Sequence, residues 1–120
     1  MLFRSIIIDD GSHLSDDMVV QFEMWFDSLK DGGIYIVEDI HTLWLFQHPG
    51  KSAVDFFTQM LHDVNRQFSK KQNAYHIESI EFRNSLIIIR KGESDLGKRF
   101  VCGDIATVNP VVLTLKEKDI

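Results

Sequence analysis

Only one cysteine, Cys102, is present in the sequence, so no internal disulfide can form and the fold must rest on packing. Long apolar runs are missing too. The longest uninterrupted aliphatic stretches are residues 6–8 and 86–89, whereas a membrane span needs ~20 apolar residues and a signal-peptide core ~7–15. This predicts a cytoplasmic protein with no membrane partner. Basic charge is in deficit: 13 Lys+Arg stand against 18 Asp+Glu, a net charge of −5, which argues against binding a phosphate backbone and hence against a nucleic acid partner. There is no glycine-rich phosphate loop of the GxGxxG or GxxxxGK type, no internal repeat and no low-complexity tract. What remains is a chain of 120 residues, 44% hydrophobic and 26% charged, which is enough for the core of one globular domain and too short for two.

Residues 3–8 (FRSIII) form a short β-branched run that stops at Asp9-Asp10-Gly11, the pattern of a parallel strand buried on both faces. From Ser15 the period changes. Asp16 and Asp17 suit a first helical turn, and Val19, Phe22, Phe26 and Leu29 recur at spacings of three and four until Asp31-Gly32-Gly33, predicting an amphipathic helix with a glycine stop. Residues 34–37 (IYIV) are a second strand-like run, closed by Glu38-Asp39, so the order is that of a βαβ unit. Residues 40–51 lack periodicity and carry aromatics and two histidines, which reads as a functional or covering loop. Ser52 then caps a second helix to about Ser69, with Val54, Phe57, Leu61, Val64 and Phe68 as its apolar stripe. Residues 77–82 and 86–90 are strand-like and joined by Arg83-Asn84-Ser85, a β-hairpin pattern. The fold class is therefore α/β: a partial Rossmann-like sheet of two parallel strands with a crossover helix, a second helix and an antiparallel hairpin. Residues 1–92 make up this domain, and 93–120 form a tail with one strand candidate, 111–115.

Parallel strands joined by a crossover helix point the same way, so Asp9-Asp10 and Glu38-Asp39 emerge at the same sheet edge, where open α/β sheets place their ligands. Strands lie about 4.8 Å apart, close enough for carboxylates at corresponding ends to reach one point. Acids crowded in this way repel one another unless a cation joins them, and hard oxygen ligands suit Mg²⁺, Mn²⁺ or Ca²⁺. Solvated acids that cap the following helices are the plain alternative. His13, three residues after Asp10, lies in the turn toward the helix; it is either a surface histidine or a group that takes a proton from a metal-bound hydroxyl. His41, two residues after Asp39, is either a loop residue or a substrate contact, and Trp44 and Phe46 either cover a ligand or close over the core. His48, His62 and His76 show no ligating spacing, and Cys102 has no activating partner.

Three segments carry a family resemblance: IIIDDGSH at 6–13, LKDGGIYIVEDIHT at 29–42 and IESIEFRNSLIIIRKG at 77–92. Together they resemble the C-terminal half of class I S-adenosylmethionine-dependent methyltransferases, and within that class the metal-dependent sugar O-methyltransferases of the macrocin and mycinamicin type. The resemblance implies that Asp10, Glu38 and Asp39 hold Mg²⁺ (or Mn²⁺), that His13 is the general base, and that Asp9 borders the S-adenosylmethionine cofactor. It also implies a small-molecule hydroxyl acceptor, a sugar or another diol; the loop residues His41 and Trp44, read above as ligand contacts, are expected on its side. Where the family commonly continues with Thr-Ser-Tyr, this chain has Thr42-Leu43-Trp44, so acceptor contacts differ. The family's glycine-rich cofactor turn precedes anything present here. An N-terminal half, or completion in a homo-oligomer, is therefore expected for S-adenosylmethionine binding.

Two other functions compete with a metal-dependent O-methyltransferase. One is a non-catalytic binding or assembly module that keeps the fold remnant and associates through its first strand. The other is a receiver-like signalling domain, which fits the length, the acidity and the Asp-Asp strand end but requires about five βα units where two or three can be traced.

Overall fold

The computed structural model describes residues 4–45, 50, 52–71 and 75–93. The tail with its candidate strand, Cys102, Phe46 and His48 lie outside the described residues. In chain order the elements are β1 (Arg4–Asp9), α1 (Ser15–Trp25), a 3₁₀ turn (Phe26–Ser28), β2 (Leu29–Glu38), α2 (Thr42–Leu45), α3 (Ala53–Thr58), α4 (Leu61–Val64), β3 (Ile77–Arg83) and β4 (Leu86–Lys91). The strands form one mixed sheet in the order β1-β2-β4-β3. β1 and β2 are parallel, as the βαβ pattern requires, and β4 lies antiparallel to both β2 and β3. The α/β class expected from the sequence is what the chain adopts. Among the described residues no helix is long and apolar enough to cross a membrane.

One face of the sheet carries the core. Tyr35 and Val37 of β2, Ile87 and Ile89 of β4 and Ile77 of β3 are buried there beneath Met18, Val19 and Phe22 of α1 and Ala53 and Phe57 of α3. Phe22 is the hub: its ring stacks on Phe26 at 4.6 Å and meets Tyr35, Tyr75, Phe56 and Phe57 edge-on at 5.0 to 5.8 Å. Edge-on rings place positive rims against negative faces, which adds to the gain from burial. The Ser15 hydroxyl ties the two helices together by accepting the backbone N–H of Ala53 at 2.7 Å.

Three expectations are corrected. β1 is not buried on both faces: no described element covers its second face, where Ile6 and Ile8 are 59% and 54% exposed, and it is the sheet's edge strand among the described residues, as expected where no earlier strand pairs with it. The Asp31-Gly32-Gly33 segment does not stop a helix; it lies within β2, which begins at Leu29. The register jumps from Arg4↔Leu29 to Ile6↔Ile34, so these residues form a bulge, with Gly32 at φ 80°. A Cβ on Gly33 would sit 2.8 Å from the Lys30 carbonyl oxygen, so only glycine fits. The bulge carbonyls are met from β4, Arg90 Nη1 donating to Gly32 at 3.0 Å and Lys91 Nζ to Leu29 at 2.7 Å.

The second helix, expected to run unbroken to Ser69, is divided into α3 and α4. Ser52 does cap it, accepting the Asp55 N–H. At the break the Thr58 hydroxyl donates to the carbonyls of Val54 and Asp55, and the Met60 N–H turns to Phe57 in a tighter i→i+3 bond. Side-chain competition for backbone acceptors of this kind bends and interrupts helices. The hairpin forms as expected, with Asn84-Ser85 as its two-residue turn and Ser85 in the left-handed region at φ 64°.

Candidate metal centre

β1 and β2 run in register through Asp9↔Val37, so the residues that follow leave the sheet side by side at its C-terminal edge. Asp10 comes from the first strand end and Asp39 from the second, and His13 swings back from the turn before α1. The His13 Nε2 lies 3.5 Å from Asp39 Oδ2 and 3.9 Å from Asp10 Oδ1. One ligand atom from each of the three falls within 4.8 Å of the others. All three stay partly open to solvent, with side-chain exposures of 34% for His13, 59% for Asp10 and 44% for Asp39. The other imidazole nitrogen, His13 Nδ1, is buried without a hydrogen-bond partner among the described residues, which leaves Nε2 as the working atom.

Glu38 stands beside this group. Its carboxyl is pushed above the ordinary range first by the charge of Asp10, then by burial, by a hydrogen bond with Asp10 and by Asp39, with His13 opposing. Like charges this close favour a shared proton or a shared cation. Asp9 also has a raised pKa, mainly because it is partly buried; the Gly11 N–H, donating to its Oδ1 at 3.2 Å, works against that. Its Oδ2 and the hydroxyl of Tyr35 are both buried without hydrogen-bond partners among the described residues, and both residues line a groove of about 520 Å³ along the β1 edge with Gln21 and Trp25. Burial, reinforced by Asp9, raises the pKa of Tyr35 as well.

The structure thus brings Asp10, His13, Glu38 and Asp39 together and places Asp9 at the rim. The other two expected site residues follow β2, His41 in the turn and Trp44 on α2. His41 Nδ1 faces the Ser85 hydroxyl at 2.6 Å, not the acids, and Trp44 is 68% exposed on α2. One residue with no assigned part in the sequence reading, Thr42, lies against the centre, and another, Ser85, holds the loop that carries it. Thr42 donates its hydroxyl to the backbone carbonyl of His13 at 2.8 Å and to that of Asp39 at 3.1 Å. Ser85 accepts the Ile40 N–H at 3.3 Å through its own carbonyl. A hydroxyl three residues beyond a strand-end aspartate is the local signal that would have pointed to Thr42.

The backbone of this βαβ-plus-hairpin sheet superposes on the MycE methyltransferase from the mycinamycin biosynthetic pathway, solved in complex with Mg, SAH and mycinamycin VI. The TM-score is 0.66 at 21% identity, covering 78% of this chain and 27% of that one. In sequence, demethylmacrocin O-methyltransferase of Streptomyces fradiae is 26% identical over 107 aligned positions, covering 77% of this chain and 27% of that enzyme. The chain resembles the macrocin- and mycinamicin-type sugar O-methyltransferases. An 8-demethyl-8-(2-methoxy-alpha-L-rhamnosyl)-tetracenomycin-C 3'-O-methyltransferase of Streptomyces olivaceus is 40% identical over 68 residues, half of this chain and 17% of its own length. No protein-family model matches the sequence. The chain spans between 10% and 27% of the length of these curated O-methyltransferases.

Proposed function

We propose that this chain carries the metal-side part of an S-adenosylmethionine-dependent, divalent-metal-assisted O-methyltransferase that acts on a hydroxyl of a sugar or another vicinal diol. The observation that carries this reading is the convergence of Asp10, His13 and Asp39 within 4.8 Å at the edge of a methyltransferase-like sheet. The donor set fits a hard cation: oxygen ligands from Asp10, Glu38 and Asp39, partly open to solvent, with the like-charge repulsion that raises Glu38 still to be relieved. Mg²⁺ or Mn²⁺ bound there would supply a Lewis acid that lowers the pKa of an acceptor hydroxyl. His13 is the general base, receiving the hydroxyl proton at Nε2 while Asp39, 3.5 Å away, stabilises the imidazolium. The acceptor oxygen would take the methyl from the sulfonium in line, with S-adenosylhomocysteine as the leaving group, and positioning these two reactants would supply most of the rate advantage. Asp9, with its unpaired Oδ2, lies on the cofactor side.

Titration of Mn²⁺ into the chain and into Asp10→Asn/Asp39→Asn tests the centre. The wild-type chain binds and the double variant does not; equal affinity in the two would remove the centre from the mechanism. Calorimetric titration of S-adenosylmethionine with Mg²⁺ present, with mass measured by light scattering, tests the cofactor half. Binding by a dimer or larger species supports a site completed in a homo-oligomer. A second reading, a non-catalytic assembly module, is favoured by exposed Ile6 and Ile8 on the edge strand, and predicts association without cofactor binding.

A further inference from the structure

Among the described residues only three non-glycine positions have positive φ: His13 at 64°, Asp39 at 58° and Ser85 at 64°. Left-handed backbone is unfavourable for residues with a Cβ and persists where neighbouring contacts hold it. All three are held by one four-residue segment, 39–42. The Thr42 hydroxyl divides its proton between the carbonyls of His13 and Asp39, and the Thr42 N–H also donates to Asp39 at 3.3 Å. Ser85 is gripped on both sides, its carbonyl by the Ile40 N–H and its hydroxyl by His41 Nδ1. The loop after β2 is thereby fastened to the hairpin turn on one side and to the turn after β1 on the other.

We infer that Thr42 is a positioning residue of the metal centre: its single hydroxyl sets the spacing between the His13 and Asp39 side chains by bridging their left-handed backbones. This rests on the metal-centre reading above and adds to it a residue that touches no ligand atom. His13 and Asp39 lie 26 positions apart; the β1–β2 pairing sets their strand ends side by side but stops at Asp9↔Val37, short of the two turns that carry them. The hydroxyl bridge is the direct hydrogen-bonded link between the two turns. A valine at this position would keep the shape and lose the bridge.

Thr42→Val and Thr42→Ser separate this role from ordinary helix capping. In the metal-free protein, NMR Cα and Cβ shifts and the HN–Hα couplings of His13 and Asp39 report whether the left-handed backbone persists. Thr42→Val should shift both residues out of that region and weaken Mn²⁺ binding about tenfold, the usual scale for a lost outer partner of a metal site. Thr42→Ser should keep both signatures and bind Mn²⁺ within about twofold of wild type. Thr42→Ala lacks the hydroxyl without added bulk and serves if the valine variant does not fold. The inference is overturned if the hydroxyl-free variants retain the left-handed shifts and the wild-type Mn²⁺ affinity. Asp39→Asn keeps the two questions apart: wild-type affinity in that variant, or no Mn²⁺ binding by the wild-type chain, brings down the metal centre and with it the positioning role, whatever the shifts show.

Discussion

Tyr35 and Val37 on one face of β2 are shut off from water under α1 and α3, while on the other face of its neighbour β1, Ile6 and Ile8 stand more than half exposed. The same short stretches of β-branched sequence supply both faces, since successive residues of a strand point to opposite sides. The difference therefore does not lie in the hydrophobicity of the residues. It lies in what covers them: the covered face has an aromatic cluster centred on Phe22, and the other has no described element over it. The carboxylates leave the sheet at the C-terminal ends of β1 and β2, where the two faces meet, and so remain wet enough to receive a ligand and close enough to share one.

The largest effect belongs to the covered face. Phe22→Ala removes the hub of five ring contacts and should cost about 3–5 kcal/mol in urea unfolding, enough to threaten a domain of this size. Ser15→Ala leaves the buried Ala53 N–H without its 2.7 Å acceptor and should cost about 1–3 kcal/mol by the same measurement. On the open face Ile8→Thr should change stability by less than about 0.5 kcal/mol, because a half-exposed side chain has little burial to lose. A loss as large as that at Phe22 would mean that the face is covered in solution. Ile6→Lys/Ile8→Lys should instead act on association, lowering the mass measured by light scattering while the unfolding midpoint hardly moves.

The smallest effect lies where the faces meet. Glu38 and Asp9 have native pKa values above their ordinary 4.5 and 3.8, so the folded state holds their protons more tightly than the unfolded chain does. Their contribution to stability is fully present below those ordinary values and is lost as pH rises through the native ones. Stability without metal should therefore fall slightly as pH rises through the carboxylate range. Glu38→Gln should flatten the profile and a saturating divalent cation should reverse it; urea midpoints across that range, with and without Mg²⁺, check both.

Much of this was legible from residue order. The period change at Ser15, the acid pairs that end two strand-like runs and the polar link at Arg83-Asn84-Ser85 each report a local preference, and the βαβ unit and hairpin follow from them. The misread segments are those where a distant contact outweighed local preference. Asp31-Gly32-Gly33 has the composition of a helix stop, yet Arg90 and Lys91, bonding to carbonyls 58 and 62 positions away in sequence, hold it as a strand bulge. The helical stripe from Val54 to Phe68 has no break in its periodicity, yet the Thr58 hydroxyl and an i→i+3 turn divide it. At the site, spacing brought Asp10, His13, Glu38 and Asp39 to one edge, while neither periodicity nor motif shows that His41 turns to Ser85.

Residue order alone reveals the periodic segments, where the carboxylates end their strands, and the likeness to sugar O-methyltransferases; these depend on neighbours within a few positions. The bare face of β1, the place of β4 between β2 and β3, and the 3.5 Å approach of His13 and Asp39 come from the folded arrangement. Those depend on contacts between residues tens of positions apart, such as the Thr42 hydroxyl reaching back 29 residues to His13, and local preference carries no record of them.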